Sequence, residues 1–448
     1  MVLIGWLGLG AGLAAAPEGA PTPAPGGKGV AAQSAPPAAA KGTAAPLTAP
    51  AATKGSAPQP ASPDAAKGGA SPPALGGAAK AGQPASPAAA KPGAVPPPPP
   101  VAAKAYILLD FHTGRVLTEQ NADQRLDPAS LTKIMTAYTA FDALRHGKLR
   151  MDDQVLVSEK AWRTGGSRMF IDVGKQVSVE DLLKGVIVQS GNDATVALAE
   201  RIAGSEEGFA GLMNGDAERL GLRNTHFMNA SGLPDPNHYT TARDLATLSA
   251  ALVRDFPEYY PMHAIQEFKF NNILQQNRNR LLREEPGVDG VKTGHTEDAG
   301  YCLVVSALRD NMRLIAVILG AQSEKSRTAE ARKLLGYGFH HYEGQRLRTA
   351  GTVLSRVRVW KGSPSEVDAG LAQDLYTTVP RGQGPAVTVS VEPDPQVVAP
   401  VGKGEGVGTV RVRVDGQEVN ARPLVALQPV PEGGFLTRWI DAVWLWFQ

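Results

Sequence analysis

Ser130 and Lys133 stand three residues apart in ASLTKIM. On a helix that step rises about 4.5 Å and returns nearly to the same face, so the two side chains are neighbours by construction. An alcohol is a weak nucleophile until a base sits beside it. Lysine serves as that base only if its pKa, ordinarily about 10.4, falls by several units. Burial lowers it, and so does a second cation. Lys292, in VKTGHT, is placed to be that cation: it lies in a strand-like run where Thr293 points to the opposite face and Gly294 lets a substrate backbone come close. A peptide could add to such an edge as an extra strand. QSGND offers Ser190 and Asn192 in a tight turn. That serine hydroxyl could pass protons between Lys133, Lys292 and a leaving group, and Asn192 could hold a substrate amide. Singly, each motif has a plainer reading, since Ser-Gly-Asn-Asp is ordinary turn chemistry and a solvated lysine beside an exposed serine is common. Jointly, each occurring once and in this order, they point to chemistry at a serine.

The surrounding pattern supplies elements to hold them. AYILLDF and RVLTEQ are β-rich runs joined through His112, Thr113 and Gly114, a hairpin signal. A helix is expected from about Ser130, just after Pro128. SVEDLLKGVIV has Ser178 as its N-cap with Asp181 three residues on. This helix breaks at QSGND, and ATVALAERIA forms the next. GYCLVVSAL and MRLIAVILGA read as two strands around a polar turn, and SEKSRTAEARKLLGYGFHHY as a helix. Strands at both ends with helices between predict one α+β domain over 103–345, its antiparallel sheet drawing on both ends. From Leu354 short Val-rich runs alternate with Gly and Pro turns, which predicts a small all-β sandwich over 352–431.

Composition narrows the class. The 45 basic and 43 acidic residues leave no strong field to attract nucleic acid. The single cysteine, Cys302, excludes a disulfide within the chain, and the one close histidine pair, His340 and His341, points apart, so no metal is expected. VLIGWLGLGAGLAAA ends in small residues suited to an A-x-A cleavage site, so 1–16 reads as a signal peptide, although a positive n-region is missing. Residues 17–100 hold no aromatic, Ile or Met and cannot offset their ordering entropy, which predicts a disordered spacer. Within it Lys28, Lys41, Lys54, Lys67 and Lys80 recur every thirteen residues. At the other end, 434–448 places Phe435, Leu436, Trp439, Ile440, Val443, Trp444 and Phe447 on one broad apolar face of a helix too short to span a bilayer. Gly433 and Gly434 read as a hinge before it, and its tryptophans suit a membrane boundary.

The motif trio is the signature of penicillin-binding proteins and class A β-lactamases. From about Ala103 onward the chain resembles the low-molecular-mass penicillin-binding proteins, the serine D-alanyl-D-alanine carboxypeptidases of bacterial envelopes. DPASLTKIMT, QSGNDA, LGLRNTHFMNASGL, QNRNRLL, VDGVKTGHT and RPLVALQPVPEG carry the likeness. SGLPDP departs from the family pattern, as does the Lys-spaced segment. The resemblance implies a β-lactamase/transpeptidase-like fold, a penicillin-sensitive acyl-enzyme on Ser130 with Lys133 as base, and no cofactor. It further implies that Ser190, Asn192 and Lys292 complete the proton network and substrate contacts beside Thr293 and Gly294. By the same likeness, an oxyanion hole uses the backbone N–H groups of Ser130 and His295, Arg327 binds the substrate's terminal carboxylate, and Arg278 lies near the site. Expected partners are peptidoglycan stem peptides, β-lactams as covalent inhibitors, and inner-membrane lipid through the C-terminal helix on the periplasmic face. A β-lactamase would need a deacylating glutamate and has no need of the β-rich C-terminal module that follows from Leu354. A non-catalytic envelope scaffold would be free to lose Ser130, Lys133 and Lys292.

Overall fold

In the computed structural model the described residues are 95–382 and 386–446. The leader expected at 1–16 and the spacer up to 94 fall outside them. The α+β domain opens with β1 (Ala105–Asp110) and β2 (Val116–Gln120), a 3-10 turn at Ala129–Thr132 and α1 (Lys133–Arg145). Next come β3 (Gln154–Leu156), α2 (Glu159–Arg163), β4 (Gln176–Ser178) and α3 (Val179–Lys184). A π-helical turn at Gly185–Gln189 leads into α4 (Asn192–Ala203), α5 (Glu206–Arg219) and α6 (Ala242–Asp255). The small hairpin of β5 (Glu267–Phe270) and β6 (Ile273–Gln276), then α7 (Leu281–Glu284), precede the final strands. These are β7 (Val288–Thr296), β8 (Gly300–Arg309) and β9 (Met312–Ala321), followed by α8 (Glu324–His341).

The main sheet has the order β2-β1-β9-β8-β7 and is antiparallel throughout, built from both ends of the domain as expected. Its central strands are apolar on both faces because both are covered. Ile315, Val317 and Leu319 join the core beneath α1, α4 and α6, while the alternating Leu314, Ala316 and Ile318 join the core beneath α8. Strand β7 is an edge. Helix α1 is enclosed: every residue from Lys133 to Phe141 is buried. A helix buried all round must carry its polar side chains inside too, so Lys133, only 1% exposed, is buried by the position of its helix. Ser178 caps α3 by accepting from the Asp181 N–H at 3.1 Å.

Val95–Pro100, read from composition as the end of the spacer, instead lies along α8. Tyr337 donates to the Pro96 carbonyl at 3.1 Å and Lys333 to that of Pro100 at 2.8 Å, and Val95 and Val101 pack on the second core.

The all-β region starts directly from α8 with β10 (Tyr342–Arg348) and continues with β11 (Ser355–Trp360), β12 (Glu366–Gly370) and β13 (Leu375–Pro380). It ends with β14 (Val387–Pro393), β15 (Val397–Val398), β16 (Gly406–Val414) and β17 (Gln417–Ala426). A six-stranded sheet, β14-β16-β17-β12-β11-β15, and the pair β10-β13 enclose a core of Val357, Val359, Val367, Leu375, Val410, Val412 and Leu424. Thr113 and Arg115, beside the β1–β2 turn, bond to the Oγ1 and carbonyl of Thr378 on β13.

The last helix, α9 (Phe435–Trp446), corrects one expectation. The Gly433–Gly434 pair does not uncouple it. Gly433 is buried and its N–H donates to the Lys361 carbonyl at 2.7 Å, while the Asp441 carboxylate, 7% exposed, accepts from the Lys361 N–H at 2.6 Å. The polar side is thereby pinned to the β region, leaving Phe435, Leu436, Trp439, Ile440 and Trp444 more than half exposed. Among the described residues no helix is long and apolar enough to cross a membrane.

Candidate active site

Ser130 sits on the 3-10 turn and Lys133 begins α1, so the pair spans a helix junction where the spacing alone suggested one helix. Two glycines from distant segments hold this turn. Gly232 has φ +81°, and a β-carbon there would overlap the Ala129 carbonyl. On the other side a β-carbon on Gly294 would lie 3.1 Å from the Pro128 carbonyl and 3.2 Å from the Leu131 nitrogen. Gly294 therefore serves the approach of β7 to the serine turn. Ala129 itself has φ +48°, a conformation that costs a non-glycine residue about 1–3 kcal/mol and gathers at functional sites. His238 bonds to Thr132 Oγ1 at 2.9 Å from below, and burial pushes its pKa down to about 4.

The Lys133 ammonium reaches Ser130 Oγ at 3.2 Å, Asn192 Oδ1 at 2.7 Å and the Ser231 carbonyl at 2.6 Å. Asn192 thus holds the lysine, where the sequence reading had it hold a substrate amide. Its own Nδ2 donates to the Gly165 carbonyl at 2.7 Å. Burial lowers the Lys133 pKa to about 7, with the Arg278 charge adding to the fall and Asp193 and Glu206 opposing it. A neutral amine keeps two N–H donors. With those committed to the Asn192 and Ser231 oxygens, its lone pair is left for the Ser130 hydroxyl. The arrangement can accept the serine proton near neutral pH.

Lys292 is also buried and held well below its usual pKa by burial, then by Lys133, Arg278 and Arg327. Its ammonium donates to the Thr293 carbonyl at 2.8 Å. Ser190 occupies the left-handed region, φ +63°, at the end of the π-helical turn, and its Oγ is buried with no hydrogen-bond partner among the described residues. The proton path through Ser190 is therefore not prebuilt by hydrogen bonds to either lysine.

Ser130, Ser190, Asn192, Thr293, Gly294, His295, Arg278 and Arg327 all face a cavity of about 450 Å³ beside the β7 edge. Arg327 is 5% exposed, donates to the Gly294 carbonyl at 3.2 Å and lies over the Tyr301 ring. Among the described residues no carboxylate pairs with either Arg278 or Arg327. Glu324 also lines the cavity but is paired with Arg280 at 3.0 Å, so the two guanidiniums leave the cavity suited to an anion. Sequence reasoning missed the loops that close it, Gly166–Ser167 and Ser231–Leu233. The latter had a local signal in NASG: Asn229 Oδ1 accepts from the N–H groups of Ser231, Gly232 and Leu233, an Asx-type turn that aims the Ser231 carbonyl at Lys133.

Residues 92–323 match the D-alanyl-D-alanine carboxypeptidase family, and 342–432 match the C-terminal domain of penicillin-binding protein 5. The chain is 48% identical over 355 residues to D-alanyl-D-alanine carboxypeptidase DacC of Escherichia coli, covering 78% of this chain and 89% of the relative. Penicillin binding protein 5 from Haemophilus influenzae superposes with a TM-score of 0.70 at 44% identity, over 75% of this chain and 99% of that one. Penicillin-Binding Protein D2 from Listeria monocytogenes, solved in its ampicillin-bound form, superposes at 0.50 with 32% identity, over 53% of this chain and 98% of that one. The fold is that of a penicillin-binding protein. The chain belongs to the D-alanyl-D-alanine carboxypeptidase family.

Proposed function

We propose that this chain is a serine DD-carboxypeptidase that removes the terminal D-alanine from peptidoglycan stem pentapeptides. Ser130 Oγ attacks the D-Ala–D-Ala carbonyl as Lys133 takes its proton, D-alanine leaves, and water resolves the acyl-enzyme. The single observation carrying this is the Lys133 amine, buried within 3.2 Å of Ser130 Oγ with its other donors fixed. The β7 edge receives the peptide as an added strand, the Ser130 and His295 N–H groups polarise its carbonyl, and Arg327, with Arg278 nearby, takes the terminal carboxylate. Ser190 and Lys292 return the proton to the departing amine. Mass spectrometry of a pentapeptide digest is expected to show loss of one alanine, and an intact pentapeptide would overturn the reading. Fluorescent penicillin should label Ser130 and persist. Rapid loss of the adduct would favour a β-lactamase, and absence of labelling a scaffold.

Export and membrane attachment complete the proposal. The apolar face of α9 points outward, as a helix lying in the outer leaflet of the inner membrane requires. Removing residues 435–448 is expected to move the enzyme into the soluble fraction with pentapeptide activity intact. A truncated protein that still pellets with membranes would place the anchor elsewhere.

A further inference from the structure

The segment Gly165–Ile171 supplies one wall of the cavity yet contains no helix or strand. Its main chain is held from α4. The Asn192 N–H donates to the Ser167 carbonyl and Asn192 Nδ2 to that of Gly165, each at 2.7 Å. One residue on, Asp193 Oδ1 accepts from the Met169 N–H at 2.8 Å, and Oδ2 accepts from those of Phe170 and Ile171 at 2.9 and 3.3 Å. Asp193 is 0% exposed, and the nearest cation, Arg168 Nε, stands 3.9 Å away. A buried carboxylate so distant from its counter-ion is retained only where hydrogen bonds replace its hydration. Here three loop amides do so, joined by its own helix: the Ala194 N–H donates at 2.9 Å. Phe170 has φ +69°, a conformation that persists in a bulky residue only when its surroundings enforce it.

We infer that Asp193 is a positioning residue: its carboxylate clamps the main chain of Met169–Ile171, so that Gly165–Ser167 and the Asn192 amide stay in register with Lys133. The inference rests on the proposed role of Lys133. Asn192 links the two, because its side chain bonds at one end to Lys133 and at the other to the clamped loop. Asp193 also acts on Lys133 through its charge. The charged and titratable groups around that amine are Arg278, Lys292 and His238 on one side and Asp193 and Glu206 on the other.

The test is Asp193→Asn in the full chain. An amide keeps one acceptor but turns N–H groups toward N–H groups, so the clamp opens with little change in volume. Exchange of the Met169, Phe170 and Ile171 amides should quicken. The plateau rate of acylation by fluorescent penicillin should fall about tenfold or more, as expected when reacting groups lose register. The acid limb of that rate should move to lower pH, because a negative charge that holds the proton on Lys133 is gone. A role in stability alone would not move the limb. Unchanged exchange, or an unchanged plateau with an unshifted limb, overturns the inference. Should the variant not fold, the wild-type chain decides: the three loop amides must exchange as slowly as those of α4, and fast exchange refutes the clamp. If the wild-type chain takes up no penicillin while the variant's loop exchange still quickens, the catalytic reading fails and the clamp on the loop stands.

Discussion

Replacing Lys133 by alanine should lower acylation of Ser130 by about 10²–10⁴-fold, the range for loss of a positioned general base. Arginine at the same position should do no better. Guanidinium retains the charge but does not deprotonate near neutrality, and its planar fork does not fit an amine held by three point contacts. The pH dependence follows from the same geometry. With the Lys133 pKa lowered to about 7, the neutral base accumulates as pH rises through that value. The acylation rate should climb across neutrality and then level. Single-turnover labelling with fluorescent penicillin, buffered from pH 5 to 9, measures both effects. Near wild-type labelling of Lys133→Arg would remove lysine from the role of base.

Arg327→Ala should cost about 2–4 kcal/mol in kcat/KM on pentapeptide, the range for truncating one partner of a desolvated charge pair, or roughly 30- to 800-fold. The guanidinium is buried, bonded only to the Gly294 carbonyl among the described residues, and next to Arg278, which also lacks a carboxylate. Its charge is therefore available to an incoming anion. A pentapeptide amidated at its C-terminus should be a poor substrate for the wild type and lose little more on Arg327→Ala. A variant that still prefers carboxylate over amide as strongly as the wild type would exclude Arg327 from that contact.

The residues with a chemical signature in the sequence were legible as a site. Ser130, Ser190, Asn192, Thr293, Gly294, His295, Arg278 and Arg327 meet around one cavity, with Lys133 and Lys292 buried beside them. The sheet was legible because β8 and β9 are apolar runs joined by a polar turn, and β1–β2 pair through a short one. The loops were not. Ser231 acts through a carbonyl, which every residue has, from 98 positions along the chain. Asp193 lies inside a motif already quoted, but its work on Met169–Ile171 depends on a loop crossing that no local pattern encodes. The Gly-Gly pair before α9 suggested freedom, and the long-range bonds of Gly433 and Asp441 to the Lys361 main chain show otherwise.

The two glycines that pinch the serine turn bear on how this sequence can change over generations. Drift usually proceeds through substitutions that cost little and are later compensated. At Gly232 even a methyl group meets the Ala129 carbonyl, and its φ of +81° already disfavours any side chain. At Gly294 the crowding atoms are again mostly backbone, which cannot rotate aside. Neither position offers a cheap intermediate. A lineage under pressure to admit a different acyl donor must therefore explore the side-chain walls, such as Leu233 or Ser167, before it can alter the turn that presents the serine.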